Sequence, residues 1–156
     1  MGELKFFVAG TPAPMGSKKG FVVKDKRTGK QRAIITDDNK PQRRRWANAV
    51  SSKASEVMNG GKLIDGPVRV VITYLFSRPK SHYGTGRNAG TLKNSAPTYH
   101  SQSPDLDKLI RCTNDALTKI VFGDDRQIAS LSAAREWTES QEGAWIRIIP
   151  MESTTH

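Results

Sequence analysis

Cysteine occurs once in this 156-residue chain, at Cys112, which rules out an intrachain disulfide. Its place inside an apolar helical pattern reads as a small packed side chain rather than a reactive thiol. No Cys/His cluster is present, so zinc is disfavoured as a bound metal. No apolar run approaches the roughly 20 residues that a membrane-spanning helix needs. The N-terminus lacks the charged, apolar and small-residue regions of a signal peptide, so a soluble cytoplasmic protein without membrane contact is expected. Acidic residues are scarce: 15 Asp and Glu stand against 25 Lys and Arg, a formal net charge of +10. Such a balance points to a polyanionic partner, a ribosome-like setting or a membrane surface. There is no internal repeat, and no linker divides the chain into separate units.

The positive charge is unevenly spread. Residues 1–60 hold 13 Lys and Arg against 5 Asp and Glu, whereas residues 61–156 hold 12 against 10. One domain over 1–156 is expected, with a basic N-terminal part (1–60), a long loop (77–103) and an acidic region (104–128). Leu4 to Val8 reads as a first strand, ending in the turn-rich segment Gly10 to Lys19. Phe21–Lys24 and Arg32–Thr36 read as a hairpin around Asp25–Lys30. Asp37, Asp38 and Asn39 are helix-start residues, and Pro41–Met58 has helical spacing up to the Asn59-Gly60-Gly61 stop. Pro67–Phe76 is apolar on both faces, as a central strand should be. Strands near Gln127–Trp137 and Ala144–Pro150 complete an α+β domain, a mixed β-sheet packed against two main helices. The tail Met151–His156 should be frayed.

The acidic residues gather where the basic ones thin out, in Ser103-Pro104-Asp105-Leu106-Asp107 and Gly123-Asp124-Asp125. Aspartates two apart diverge by roughly 200° on a helix and share a side only on a strand. Asp105 and Asp107 therefore converge only if the chain turns from extended to helical near Asp105, a junction that Pro104 tolerates. From there Leu106, Leu109, Ile110, Thr113, Leu117 and Ile120 form an apolar stripe, with Asp107, Arg111, Asn114 and Thr118 beside it. Acidic side chains in a first turn stay ionised against the helix dipole. They also cap helices for purely structural reasons, and spacing alone leaves capping and metal binding both open. If Asp124 and Asp125 fold against Asp105 and Asp107, a Mg²⁺ or Mn²⁺ site relieves their repulsion. Arg111, one turn after Asp107, is either an ion-pair partner or a cation aimed at a phosphate.

Lys18, Lys19, Lys24, Lys26, Arg27, Lys30, Arg32 and the run Arg43-Arg44-Arg45 form the main basic cluster, a candidate phosphate-backbone footprint. His82, Tyr83, Tyr99 and His100, among Arg78, Lys80, Arg87 and Lys93, mix aromatic and basic character in the long loop, as a grip on unpaired bases or a junction strand does; the alternative is a mobile loop with incidental aromatics. A loop of that length inside a compact domain is functional or disordered. Trp137 and Trp145 read as core or interface residues.

Taken together, Pro104-Asp105-Leu106-Asp107-x-Leu109-Ile110-Arg111, Asn114-Asp115-Ala116-Leu117 and Val121-Phe122-Gly123-Asp124-Asp125-Arg126-Gln127-Ile128 resemble the RusA family of Holliday junction resolvases, many of them from bacteriophages and prophages. Weaker echoes are the Gly/Pro turn after the first strand and Arg78-Pro79-Lys80-Ser81-His82-Tyr83. The resemblance implies a small α+β homodimer that cuts four-way branched DNA with Mg²⁺, or Mn²⁺ in its place, and needs no small-molecule cofactor. It implies that Asp105, Asp107 and Asp125 are the metal-binding and catalytic aspartates, with Asp124 their acidic neighbour. Arg111 stands where the family usually has a catalytic lysine, and Lys108 where it usually has asparagine. Arginine keeps charge and reach but not proton-donor chemistry. The implied DNA contacts are Lys18, Lys19, Arg43, Arg44, Arg45, Arg78, Lys80, His82, His100 and Lys108. The implied products are 5′-phosphate and 3′-hydroxyl ends, formed during recombination and repair, in the host cytoplasm for a phage-encoded enzyme. The rival expectations are a non-catalytic branched-DNA-binding module, a general flap or branched-DNA nuclease, and a metal-dependent nucleotide-sugar transferase using Asp-x-Asp.

Overall fold

Alternation of apolar side chains decides which way each strand faces. The computed structural model describes residues 2–16, 18–37 and 40–152, with side chains described for all of these but 18–21 and 34–37. Strands β1 (Leu4–Ala9), β4 (Val68–Ser77), β5 (Ile128–Thr138) and β6 (Gly143–Pro150) form one sheet in the order β1-β6-β4-β5. Only the β4–β5 pair is parallel. A parallel pair needs a crossover, and α2 (Leu106–Leu117) lies within it. Strand β4 is internal to the sheet, as its sequence predicts. Val68, Val70, Ile72, Tyr74 and Phe76 point into the core, while Val71, Thr73 and Leu75 on the other face are only half-buried.

Helix α1 (Lys40–Met58) buries Trp46, Val50, Ala54 and Met58, one residue per turn. It packs against α2, which buries Leu109, Cys112, Thr113, Ala116 and Leu117. These meet Phe6, Val8, Ala144, Ile146 and Ile148 in one core. Thr113 is the polar centre of that core. Its hydroxyl donates to the Leu109 carbonyl (3.0 Å) and accepts from Trp46 Nε1 (3.1 Å), which leaves Tyr74 Oη as the donor in the 2.8 Å contact between the two hydroxyls. The opposite sheet face has Phe7 and Trp145 ring to ring at 5.1 Å, with Lys5 Nζ 5.5 Å from the indole.

The hairpin is present, and longer than the sequence suggests: β2 (Lys18–Lys24) pairs antiparallel with β3 (Gln31–Asp37) as a separate two-stranded sheet. Asp37 is a strand end rather than a helix start, and Asp38 and Asn39 lie outside the described residues, as does the tail 153–156. Helix α2 stops at Leu117, short of Ile120. Thr118 turns to extended backbone, its hydroxyl bonding the Asn114 carbonyl, and Lys119 takes a positive φ of 72°. The segment 77–103 contains short 3-10 turns at Lys80–His82 and Gly86–Asn88 and a Tyr83–Leu92 bridge. Its last residues run along β5: Trp137 N donates to Thr98 O and His100 N to Arg135 O, so the loop covers an otherwise open sheet edge.

Candidate active site

The backbone changes from extended to helical at Asp105. Asp105 occupies the N-cap position of α2 with φ −66° and ψ 140°, yet its carboxylate makes no capping hydrogen bond. Asp107 follows in the first turn, and both side chains are exposed. An acidic cap satisfies the orphan amides of the first turn; here the Asp105 carboxylate is left uncommitted at the positive end of the helix. Beside it opens a cleft of about 450 Å³, lined by Thr11, Pro12, Pro14, Met15 and Gly16 on one side and Ser103, Pro104, Asp105 and Lys108 on the other, with Gln42 between them. Met15 N donates to the Lys108 carbonyl (3.0 Å), tying the Gly/Pro turn after β1 to the first turn of α2.

Arg135 holds the acidic loop from the sheet side. Its Nη1 donates to the Gln102 carbonyl (2.6 Å) and to the Pro104 carbonyl, the residue just before Asp105. Sequence reasoning missed Arg135, Thr11 and Gln42. The only signals available were a lone cation in a strand and a proline-rich turn.

Asp124 and Asp125 have different surroundings. Asp124 caps the short turn Asp125–Gln127, accepting from Arg126 N (2.8 Å) and Arg126 Nη2 (3.0 Å). The Arg126 hydrogen bond holds its carboxyl down at about 2. Gln127 closes the turn: its side-chain oxygen accepts from Gly123 N and Asp124 N, while Nε2 donates to the carbonyls of Ile64 and Gly66. Asp124 is thereby committed to structure, and Asp125 is exposed at the turn's surface.

The two acidic pairs do not meet within one chain. Asp105 is tethered at the level of Arg135, whereas the Asp124–Gln127 turn sits beside Gly66, before β5 begins. Seven residues of β5 separate Ile128 from Arg135, about 23 Å at strand rise. The 12 residues of α2 span a comparable ~18 Å. Among the described residues no three His, Cys, Asp or Glu side chains form a group that could hold a metal ion. The carboxylate donors have the right chemistry for a hard cation, but one chain does not assemble them.

The predicted cations are dispersed. Consecutive residues on a helix point about 100° apart, so Arg43, Arg44 and Arg45 cannot form one patch. Arg45 borders the hollow with Thr11 and Gln42, while Arg43 and Arg44 flank one with Met15 and Asp115. Arg111 is exposed and makes no ion pair among the described residues, so the Asp107–Arg111 pair is not formed. Lys108 lines the cleft, and Lys80 is exposed. Lys18 and Lys19 lie on β2, but their side chains are outside the described set.

Several of the loop residues read as a DNA grip make contacts that hold the loop down. His100 is 7% exposed, stacked between Phe76 (4.6 Å) and Trp137 (4.2 Å), and burial lowers its pKa. His82 meets the Trp137 ring edge-on at 4.9 Å. Arg78 Nη1 donates to the Pro97 carbonyl (2.7 Å) and lies 3.4 Å from His82 Nδ1. Tyr99 alone of these aromatics is largely exposed, at 65%.

None of the curated proteins matches this sequence. The family profile of endodeoxyribonuclease RusA matches residues 13–149, which takes in the later part of the Gly/Pro turn, α1, the central strand, the free carboxylate of Asp105 and the Gln127 turn together. With the match extending well beyond the last third of the chain, where its motifs are densest, this chain belongs to the RusA endodeoxyribonuclease family.

Proposed function

We propose that this protein is a structure-specific endodeoxyribonuclease that resolves four-way DNA junctions as a homodimer. Paired nicks would leave 5′-phosphate and 3′-hydroxyl ends, in recombination or repair, in the cytoplasm of the host if the chain is phage-encoded. The observation that carries this reading is the uncommitted Asp105 carboxylate at the start of α2, with Asp107 in the helix's first turn, in a chain of this family. Bound Mg²⁺ or Mn²⁺ supplies water activation and neutralises charge on the leaving oxygen in chemistry of this kind. Asp105 and Asp107 of one subunit together with Asp125 of the partner subunit would hold it, since one chain lacks the full set.

The chain's own residues do the rest. Arg111, exposed on the helix surface one turn after Asp107, offers its guanidinium to the non-bridging oxygens of a bound phosphate. Lys108 and Arg45 place positive charge around the cleft, where a strand entering between the Gly/Pro turn and α2 would pass. Arg135 keeps the Asp105 backbone in place through the Pro104 carbonyl.

The separation of the two acidic pairs favours one rival, a DNA-binding module that does not cut. A nicking assay on labelled four-way junctions, flaps and linear duplex, with Mg²⁺ and with a chelator, separates the readings. Metal-dependent, symmetric nicking of junctions is expected, with Asp107→Asn binding junctions normally while cutting at least 100-fold more slowly. Equal cutting of flaps and junctions would leave a general branched-DNA nuclease. Tight binding with no nicking under any divalent ion would leave the non-catalytic module.

A further inference from the structure

Among the described residues, the β2–β3 hairpin contributes no side chain to the hydrophobic core. It forms a sheet of its own, and neither strand packs substantially against any other strand or helix. A two-stranded ribbon alone is at best marginally stable in water, so an element of this kind commonly finds its partner elsewhere. Its tip is dense in positive charge: Lys24, Lys26, Arg27, Lys30 and Arg32 are exposed, and none is in an ion pair among the described residues. The single acid among them, Asp25, is spent on the turn. Its Oδ1 accepts from Arg27 N at 2.8 Å, its carbonyl accepts from Gly29 N, and Gly29 adopts the left-handed φ of 72° that closes the loop. Behind the tip, Val22 is 64% exposed opposite an exposed Ala33.

We propose that this hairpin is a docking ribbon for duplex DNA that lies in the major groove of a duplex arm, with its tip cations on the flanking phosphates. The dimensions fit. Paired strands of seven residues reach about 23 Å, and strands about 4.8 Å apart make a ribbon far narrower than a protein domain. The B-DNA major groove is about 12 Å wide and admits a two-stranded ribbon, whereas the minor groove, about 6 Å wide, does not. Cations occupy both strands near the tip: Lys24 on β2 shares the face of Val22 and Ala33, and Arg32 on β3 lies on the other face, so both faces of the ribbon carry positive charge toward the phosphates. The apolar Val22 and Ala33 pair suits the groove floor, where thymine methyl groups lie. The inference rests on the nuclease reading for its choice of DNA over another polyanion, and it adds a second anchoring point remote from the carboxylates.

The test uses the full chain and measures binding without divalent metal, so that it does not depend on cutting. Lys24, Lys26, Arg27 and Lys30 are replaced together by Gln, keeping Asp25, Thr28 and Gly29 so that the turn survives; the same four positions as Lys or Arg throughout serve as a control. Anisotropy titrations with a 30-base-pair duplex are run across 50–200 mM salt, with a major-groove dye or a minor-groove drug as competitor. The Gln variant should lose about 3 to 4 from the slope of log affinity against log salt, at about 0.9 per phosphate contact. The major-groove dye should displace the wild-type protein, and the control should behave as wild type. An unchanged slope, or displacement by the minor-groove drug alone, would overturn the proposal. So would tighter binding to a single strand than to duplex. Wild-type protein that binds through the hairpin but never nicks a junction would defeat the nuclease reading and leave this one standing. Wild-type protein that nicks, with a Gln variant of unaltered slope, would do the reverse.

Discussion

Asp105 and Asp124 show how two aspartates of similar sequence surroundings come to different ends. Each occupies the cap position of a following helical turn, but Asp124 is taken up by Arg126 while Asp105 caps nothing. A carboxylate left free at a helix start, beside a cleft, is available to a ligand. The backbone just before it is held by Arg135, whose hydrogen bonds to the carbonyls of Gln102 and Pro104 cross more than 30 positions of sequence. Arg135→Gln is therefore expected to slow junction cutting between about tenfold and a hundredfold, because small misplacements of a catalytic group cost that much. The loss should fall on kcat with KM little changed, and Arg135→Lys should recover part of it. A Gln variant with wild-type kcat would show that the clamp does not position the site. Asp105 was legible in the sequence because proline and the aspartate spacing mark an extended-to-helical junction. Arg135 was not, because a side chain that bonds distant backbone carbonyls leaves no periodic trace.

At the scale of elements, most of the strands and both helices could be read from alternation and helical spacing, and the ends were set by local groups that those patterns do not encode. Helix α2 shows this: its apolar stripe runs on to Ile120, but the Thr118 side chain and the positive φ of Lys119 end it at Leu117. The loop after β4 shows the same limit in its contacts. Its histidines and arginine looked like ligand-binding groups because nothing local pairs them, and their partners turn out to be Phe76, Trp137 and the Pro97 carbonyl. Thr113 was placed correctly on the buried stripe, though its role as the junction of α1, α2 and β4 came only with the fold. Its hydroxyl uses its proton and both lone pairs, so Thr113→Val leaves the Trp46 indole and the Tyr74 hydroxyl without partners in the core. Each such orphan costs about 1–3 kcal/mol. Urea denaturation should show a loss of roughly 2–5 kcal/mol, on the same orphan-group scale, with little change in m. A loss under about 1 kcal/mol would mean that the network contributes no more than an ordinary hydrogen bond.

For the whole molecule, the decisive feature is the ~18–23 Å implied between the two acidic segments, along α2 and along β5. Sequence spacing hinted that they meet and could not say whether within one chain or between two. If each site takes Asp105 and Asp107 from one subunit and Asp125 from the partner subunit, mixed dimers have a distinctive arithmetic. Homodimers of Asp105→Asn carry two broken sites, and so do homodimers of Asp125→Asn. A heterodimer of the two variants concentrates both substitutions in one site and leaves the other with a full set of carboxylates. Refolding the two inactive variants together, with different affinity tags to isolate the mixed species, should therefore restore nicking of one junction strand at up to half the wild-type rate per dimer. Symmetric double cutting should stay absent, because only one site is whole. If each chain housed its own site, both protomers of the mixed species would be broken and no activity would return. Recovery of single nicks would place the reaction between subunits, and its absence, in a heterodimer shown to form and to bind junctions, would remove the shared site and with it the reason for the acids to lie so far apart.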